Sequence, residues 1–390
     1  MNIKPYIEEQ RDKLIELRRY FHMYPEVSMK EYQTAKKIEE ELAALDIPYR
    51  RVGETGVLGI IGKQDAGRTL ILRADIDALR IQDRKSEPYA SKNDGVMHAC
   101  GHDVHTTALL GAAKVLKERE EELQGKIYLF FQQGEEFGQG ARVFIQEGLV
   151  DGAEKVFGLH VSSDIAVGDI AVSGGATNAS VDHFTIKVQG KSAHVSTPHL
   201  GVDALYIAAQ IVNALQGIVT RLTSPSDTVV IGIGVLRAGE AYNIIAGEAV
   251  IEGTTRCYTQ ESRERTNESI RRVSKAIAES FGAKVTVEFE DFASPLVNDF
   301  QVSEEVKIIA GKIVGKEHVI SKERSFGGDD FGEYLRKVPG TYAFIGTGNV
   351  QKPNTKAPQH ANNYDVDEEG ILIGANLYVD YALSVLTTQE

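Results

Sequence analysis

Apolar residues recur at helical spacing near the N-terminus, where Leu14, Ile15 and Leu17 stand among charges, and again over residues 34–45 after a break at Pro25. Both segments read as amphipathic helices. The pattern then changes to short apolar runs that stop at turn or acidic residues, at 57–61, 69–72, 127–131 and 156–159, with helical stretches such as 106–118 between them. Strands alternating with helices predict an α/β domain on a mixed, largely parallel sheet. From about Ser180 the order is different: a strand at 183–188, a helix at 202–215, strands near 228–233 and 248–256, a helix at 261–281 and a strand at 284–289. This β-α-β-β-α-β order predicts a compact ferredoxin-like α+β unit inserted into the first domain, because α/β character returns after Pro295 and must complete the first sheet. The expected division is 1–179 with 293–390 for a discontinuous catalytic domain, and 180–292 for the insert. No internal repeat or low-complexity linker marks the boundaries.

At 390 residues the chain exceeds the roughly 250–300 at which one hydrophobic core stops growing, which agrees with two domains. Lysine and arginine total 43 against 56 aspartates and glutamates, and the formal charge of -13 opposes contacts built on phosphate neutralisation. With no tryptophan and few aromatic residues, a stacking platform is missing too. Nucleic acid is therefore not an expected partner. Two cysteines, Cys100 and Cys257, without a Cys-x-x-Cys pair leave no disulfide framework and suit a reducing cytoplasm, where a thiolate ligand is feasible. The first twenty residues interleave charges with apolar positions, and no later run approaches about 18 apolar residues, so neither export nor a membrane span is expected.

The densest chemistry lies in Met97-His98-Ala99-Cys100-Gly101-His102-Asp103-Val104-His105, which places one thiol, three imidazoles and a carboxylate just before a predicted helix. Thiolate and neutral imidazole are the usual donors for zinc-like ions, and Gly101 lets the backbone turn so that Cys100 and His102 converge. The competing reading is a capping loop in which Asp103 caps the helix and the histidines are polar surface. A second segment, Tyr128 through Gln132-Gln133-Gly134-Glu135-Glu136, reads as a buried strand ending in two carboxylates. On extended backbone these would face opposite sides, one towards metal and one towards substrate water, although a Glu-Glu pair is ordinarily solvated surface. His160 finishes the apolar run Val156-Phe157-Gly158-Leu159, and parallel sheets gather functional groups at such ends. His360, in Pro358-Gln359-His360, stands in a polar loop; taken singly, a histidine at the first position is more often structural and one at the second a plain surface residue.

Taken in order, Pro25-Glu26, Arg73-Ala74-Asp75-Ile76-Asp77-Ala78-Leu79, the Cys100 segment, Gln132 through Glu136, Gly158-Leu159-His160, Gly253-Thr254-Thr255-Arg256 and Gly327-Gly328-Asp329-Asp330-Phe331 span nearly the whole chain. Together they resemble the aminoacylase and carboxypeptidase superfamily of co-catalytic metallohydrolases, in particular its N-acyl-amino-acid amidohydrolase branch with the hippurate and auxin-conjugate hydrolases. The resemblance implies a phosphorylase/hydrolase-like catalytic domain and an inserted lid and dimerisation domain. It implies two divalent ions per subunit, manganese or zinc with cobalt or nickel admissible, on Cys100, His102, Glu136, His160 and His360, and Glu135 as general base. Where other branches carry a His-x-Asp motif this chain has Asp75-Ile76-Asp77, so these aspartates read as groups that orient the ligands. In the insert, His194 of Gly190-Lys191-Ser192-Ala193-His194 falls at the histidine that in relatives reaches the partner subunit's centre and binds the oxyanion. Asn243 and Arg256 fall where relatives position the substrate; an arginine fork suits a free carboxylate, and a strand-end surface arginine is the plain alternative. His199 and Cys257 read as structural.

The activity so implied is hydrolysis of the amide bond of a small N-acyl-amino acid by a metal-activated water, in a homodimer or higher homo-oligomer of the cytoplasm. Two departures, the Lys191-Ser192-Ala193-His194-Val195-Ser196-Thr197-Pro198 lid sequence and Gln133-Gly134 where relatives have Pro-Ala, keep a dipeptidase or carboxypeptidase acting on short peptides as an alternative. A catalytically silent metal-binding protein is the alternative of another class, opposed by Glu135 beside Glu136.

Overall fold

The computed structural model describes residues 3–63 and 67–387, which form two compact units: Met1–Gly175 with Val297–Glu323 and Asp329–Glu390, and Ala176–Leu296 with Arg324–Gly328. The first unit holds an eight-stranded sheet in the order Tyr49–Val52, Gly56–Gly62, Lys126–Gln132, Thr69–Asp75, Lys155–Ala166, Gly340–Gly348, Ile170–Ala171, Val319–Ile320. The strand Thr69–Asp75 runs parallel to both neighbours, and Gly340–Gly348 runs parallel to Lys155–Ala166, while Tyr49–Val52 and Gly56–Gly62 add an antiparallel edge. The sheet is thus mixed and largely parallel. Every residue of Thr69–Asp75 is buried, because a central strand of such a sheet is covered on both faces. The helices His102–Glu118 and Glu369–Leu386 are buried along most of their length in the same core.

Two boundaries differ from the periodicity in ways that matter for the site. The helix expected from 106 begins at His102, so this imidazole is carried by a helix start instead of a loop. The run expected to end at His160 is a strand through Ala166, because pairing to Gly340–Gly348 carries the extended backbone across the polar Ser162-Ser163-Asp164 stretch.

The second unit runs strand Val181–Gln189, helix Ala204–Gly217, strands Val229–Ala238 and Glu248–Cys257, helix Gln260–Ser280, strand Lys284–Ala293. Its sheet order is Lys284–Ala293, Val181–Gln189, Glu248–Cys257, Val229–Ala238, antiparallel throughout. Phe184, Ile186 and Val188 alternate inward and join Ile251, Ile207, Ile211 and Ile270 in one core, leaving alternate residues such as Lys187 outward. Asp203 and Thr259 cap the two helices, accepting from the backbone of Leu205 and Tyr206 and of Ser262 respectively. Among the described residues no helix is long and apolar enough to cross a membrane.

Candidate metal centre

In the first unit two glycines aim the candidate ligands. Gly101 has a left-handed φ of +92°, and a Cβ there would lie 2.3 Å from Val161 Cγ2, so only glycine fits. The turn brings Cys100 Sγ and ring nitrogens of His102 and His160 within 4.8 Å of one another. Gly134, at φ +61° and packed on Met29, ends the strand Lys126–Gln132 and opens a single 3-10 turn, Glu135–Phe137. The two carboxylates therefore separate on a turn, not on the extended backbone that the strand pattern predicts. Glu135 is 5% exposed, Glu136 partly buried.

Hydrogen bonds decide which nitrogens are free. His102 donates from Nδ1 to Asp77 Oδ1 at 3.1 Å, and its buried Nε2 has no hydrogen-bond partner among the described residues. His160 donates from Nδ1 to the Val161 carbonyl at 2.7 Å, leaving Nε2 3.5 Å from Cys100 Sγ. A nitrogen whose ring partner carries the proton keeps a lone pair for a cation. His105 differs: it donates from Nδ1 to Asp75 at 2.5 Å and accepts on Nε2 from the Val161 amide at 2.9 Å, so both positions are spent. His98 is buried, outside every candidate cluster of the described residues, and burial lowers it to about 3. Of the three imidazoles in the motif His102 groups with Cys100 and His160, whereas His105, which groups with Asp75 and His102, has both its nitrogens already hydrogen-bonded.

His360 joins from the far end of the chain. It is exposed, with a left-handed φ of +66°, and its amide donates to the Ala99 carbonyl at 2.8 Å. Its Nε2 lies 3.2 Å from Glu136 Oε1, a buried oxygen without a hydrogen bond among the described residues, and Cys100, Glu136 and His360 form one cluster. Glu135 belongs to two others, with His102 and Glu136 and with Asp329 and Asp330.

The electrostatics favour cations. Burial opposes charge on His102, but Asp75 and Asp77 more than offset it and hold the ring at about 10. Burial first, then Glu136, Glu135 and Asp75, push the Cys100 thiol well above its ordinary value. Glu135 is raised well above the usual carboxylate range by burial, Asp329, Glu136, Asp330 and Asp77. Burial, opposed by Arg73 and reinforced by Asp329, raises Asp330 to about 7. Asp75, Asp329 and Asp330 are gathered around the Arg73 guanidinium, at 2.6, 3.8 and 2.8 Å, and Glu135 groups with the last two. Unpartnered Nε2 and Oε1 atoms, a thiol and surplus acid are a donor set that fits divalent ions.

The sequence pattern assigns no task to several residues that the structure brings here. Arg73 donates to Gln132 at 2.8 Å, Asp75 at 2.6 Å and Asp330 at 2.8 Å. Asp103 does not cap its helix but is buried against Arg18 and His22. Arg18 had a local signal: it interrupts the apolar stripe of Leu14, Leu17 and Phe21.

The other candidates lie in the second unit. Exposed His194 accepts on Nδ1 from the Ser196 amide at 3.1 Å, which leaves Nε2–H as a donor. The Val195 amide donates to the Asn243 carbonyl at 3.1 Å and the Ile245 amide to the Ala193 carbonyl at 2.8 Å, so the His194 and Asn243 segments are held side by side. Arg256, near the end of Glu248–Cys257, is half-buried and makes no ion pair among the described residues. Cys257 is fully buried near Thr266, in keeping with a packing role.

The family model of peptidase family M20/M25/M40 matches residues 71–384. Over 379 residues the chain is 38% identical to an N-acetyl-L-cysteine deacetylase of Bacillus subtilis, covering 97% of this chain and 89% of the relative. It is also 38% identical to thermostable carboxypeptidase 1 of Saccharolobus solfataricus, covering 96% and 95%. A crystal structure from Bacillus subtilis, described as a dinuclear metal binding peptidase of the M20 family, superposes with a TM-score of 0.84 at 33% identity, covering 97% of this chain and 99% of that one.

Proposed function

Because the chain belongs to peptidase family M20/M25/M40, we propose that it hydrolyses the amide bond of N-acyl-amino acids at two divalent ions, held by Cys100, His102, Glu136, His160 and His360. The observation that carries this reading is the convergence of unpartnered His102 Nε2 and Glu136 Oε1 with Cys100, beside a buried Glu135 that the five-ligand set leaves over. When bound, the ions would polarise the scissile carbonyl and acidify a water. Glu135, buried beside the five-ligand set, would take the proton of that water and pass it to the leaving amine. Asp77 and the Val161 carbonyl fix the imidazole orientations.

The second unit, taken as residues 180–292, serves in this proposal as a ferredoxin-like lid and dimerisation domain. His194 Nε2–H donates to the oxyanion in the partner subunit's site, and Asn243 and Arg256 bind the substrate carbonyl and carboxylate. A homodimer in the cytoplasm follows from that arrangement and from the two free thiols. The carboxypeptidase relative favours a second reading, cleavage of short peptides. One metal-loaded preparation, assayed on acetyl-amino acids, benzoylglycine and free dipeptides with manganese, zinc and cobalt separately, tests both. Acyl-amino-acid turnover is expected, and a strict dipeptide preference would transfer the assignment to the second.

A further inference from the structure

Behind the Cys100–His102 turn lies a buried set of charges that hydrolysis does not use. Arg18, on the helix Arg11–Met23, has no exposed surface. Its Nε stands 2.8 Å from Asp103 Oδ2, one Nη donates to Asp365 Oδ1 at 3.1 Å, and the other lies 3.5 Å from Glu368. Asp103 directly follows His102, and Asp365 lies shortly beyond His360. His22, one turn along the same helix, donates from Nδ1 to Asp103 at 2.7 Å. The buried Lys85 ammonium donates to His22 Nε2 at 2.8 Å and to the Tyr364 carbonyl at 2.9 Å, and the Tyr89 hydroxyl donates to Asp365 at 2.7 Å. Arg18 thus joins the segment that carries Cys100 and His102, through Asp103, to the one that carries His360, through Asp365 and Glu368; the set also closes on itself, with Arg18 3.3 Å from His22 and Lys85 3.2 Å from Asp83.

Burying so many charges opposes folding, and apolar side chains would meet a packing task alone with less desolvation. The His360 segment, by contrast, needs an external hold: its histidine is exposed, in left-handed backbone, at the end of a polar loop. A rigid guanidinium fork fixes both distance and angle between two carboxylates, which a flexible ammonium does not. We propose that Arg18 is a positioning residue that registers the His360 segment against the Cys100–His102 turn, and so forms the ion site shared by Cys100, Glu136 and His360. This inference rests on the two-ion reading above.

Titration of manganese into chelator-stripped protein, with bound ions counted per chain and folding followed by circular dichroism, tests it. The proteins are the wild type, His360→Ala, Arg18→Met, Arg18→Lys and Asp365→Asn. The wild type should bind two ions, and His360→Ala should keep one tightly. Arg18→Met and Asp365→Asn should reproduce the His360→Ala pattern, with the second ion weakened about 10- to 100-fold and the first unchanged, and Arg18→Lys should recover only part of the loss. Folded variants that keep both ions at wild-type affinity, or lose both alike, would overturn the role of Arg18. Should Arg18→Met fail to fold, the near-isosteric Asp365→Asn decides by the same criteria. A wild type that binds fewer than two ions would overturn the two-ion reading itself.

Discussion

Glu135 is placed where ionisation is opposed from several sides, by burial and by four neighbouring acids. In the metal-free chain that setting keeps the carboxyl protonated, and the positive charge of bound ions would free it to act as a base. Glu135→Gln keeps the shape and removes the base, so kcat on an N-acetyl-amino acid should fall about 10²- to 10⁴-fold while metal content by atomic absorption stays at the wild-type level. Loss of metal instead would move Glu135 into the ligand set. His102, held at about 10, and Cys100, raised well above its ordinary value, both carry protons at neutral pH in the metal-free chain. A cation must displace those protons, so apparent affinity should fall as pH falls, and loading at about pH 7 should release protons. Calorimetric titration in buffers of different ionisation enthalpy measures that release, and affinity independent of pH would contradict the proton count. Gly101→Ala forces a Cβ against Val161 in left-handed backbone and should cost about 1–3 kcal/mol in urea unfolding, with weakened metal retention.

Elements with one buried face were readable because burial imposes a period: the second unit's strands alternate, and its helices carry a stripe. Asp203, which accepts from two amides at the start of Ala204–Gly217, belongs to this locally encoded class. Asp203→Ala should destabilise the chain by about 1 kcal/mol, read from its denaturation midpoint, without altering metal content. What the pattern missed lies where distant residues override local preference. The Glu135–Phe137 turn depends on Gly134 against Met29, more than a hundred residues away in sequence, and the strand past His160 depends on the partner Gly340–Gly348. The start of His102–Glu118 likewise accompanies the burial of Asp103 against Arg18, a partner no window around residue 103 contains.

At the scale of the molecule, the candidate ligands sit at the rim of a large apolar core built from both faces of the eight-stranded sheet, so the fold does not depend on ions as a small zinc domain does. Chelation should abolish amide hydrolysis, leave the circular dichroism spectrum intact and lower the Tm, because ions bound only by the native state stabilise it by mass action. Activity and Tm should both return on adding manganese or zinc; unfolding upon chelation would assign the ions to structure instead.

The chain order of thiol, imidazole and carboxylate donors, and the glycines that turn the backbone at 101 and 134, are local properties and were legible from residue types and spacing. Which lone pairs are free was not. That choice rests on hydrogen bonds to Asp77, Asp75 and the Val161 backbone, and on buried acids held by Arg73, groups drawn together from separate strands. Hydrophobic periodicity records which face of an element is buried, whereas the protonation and aim of a buried side chain are set by whatever distant group the fold brings against it.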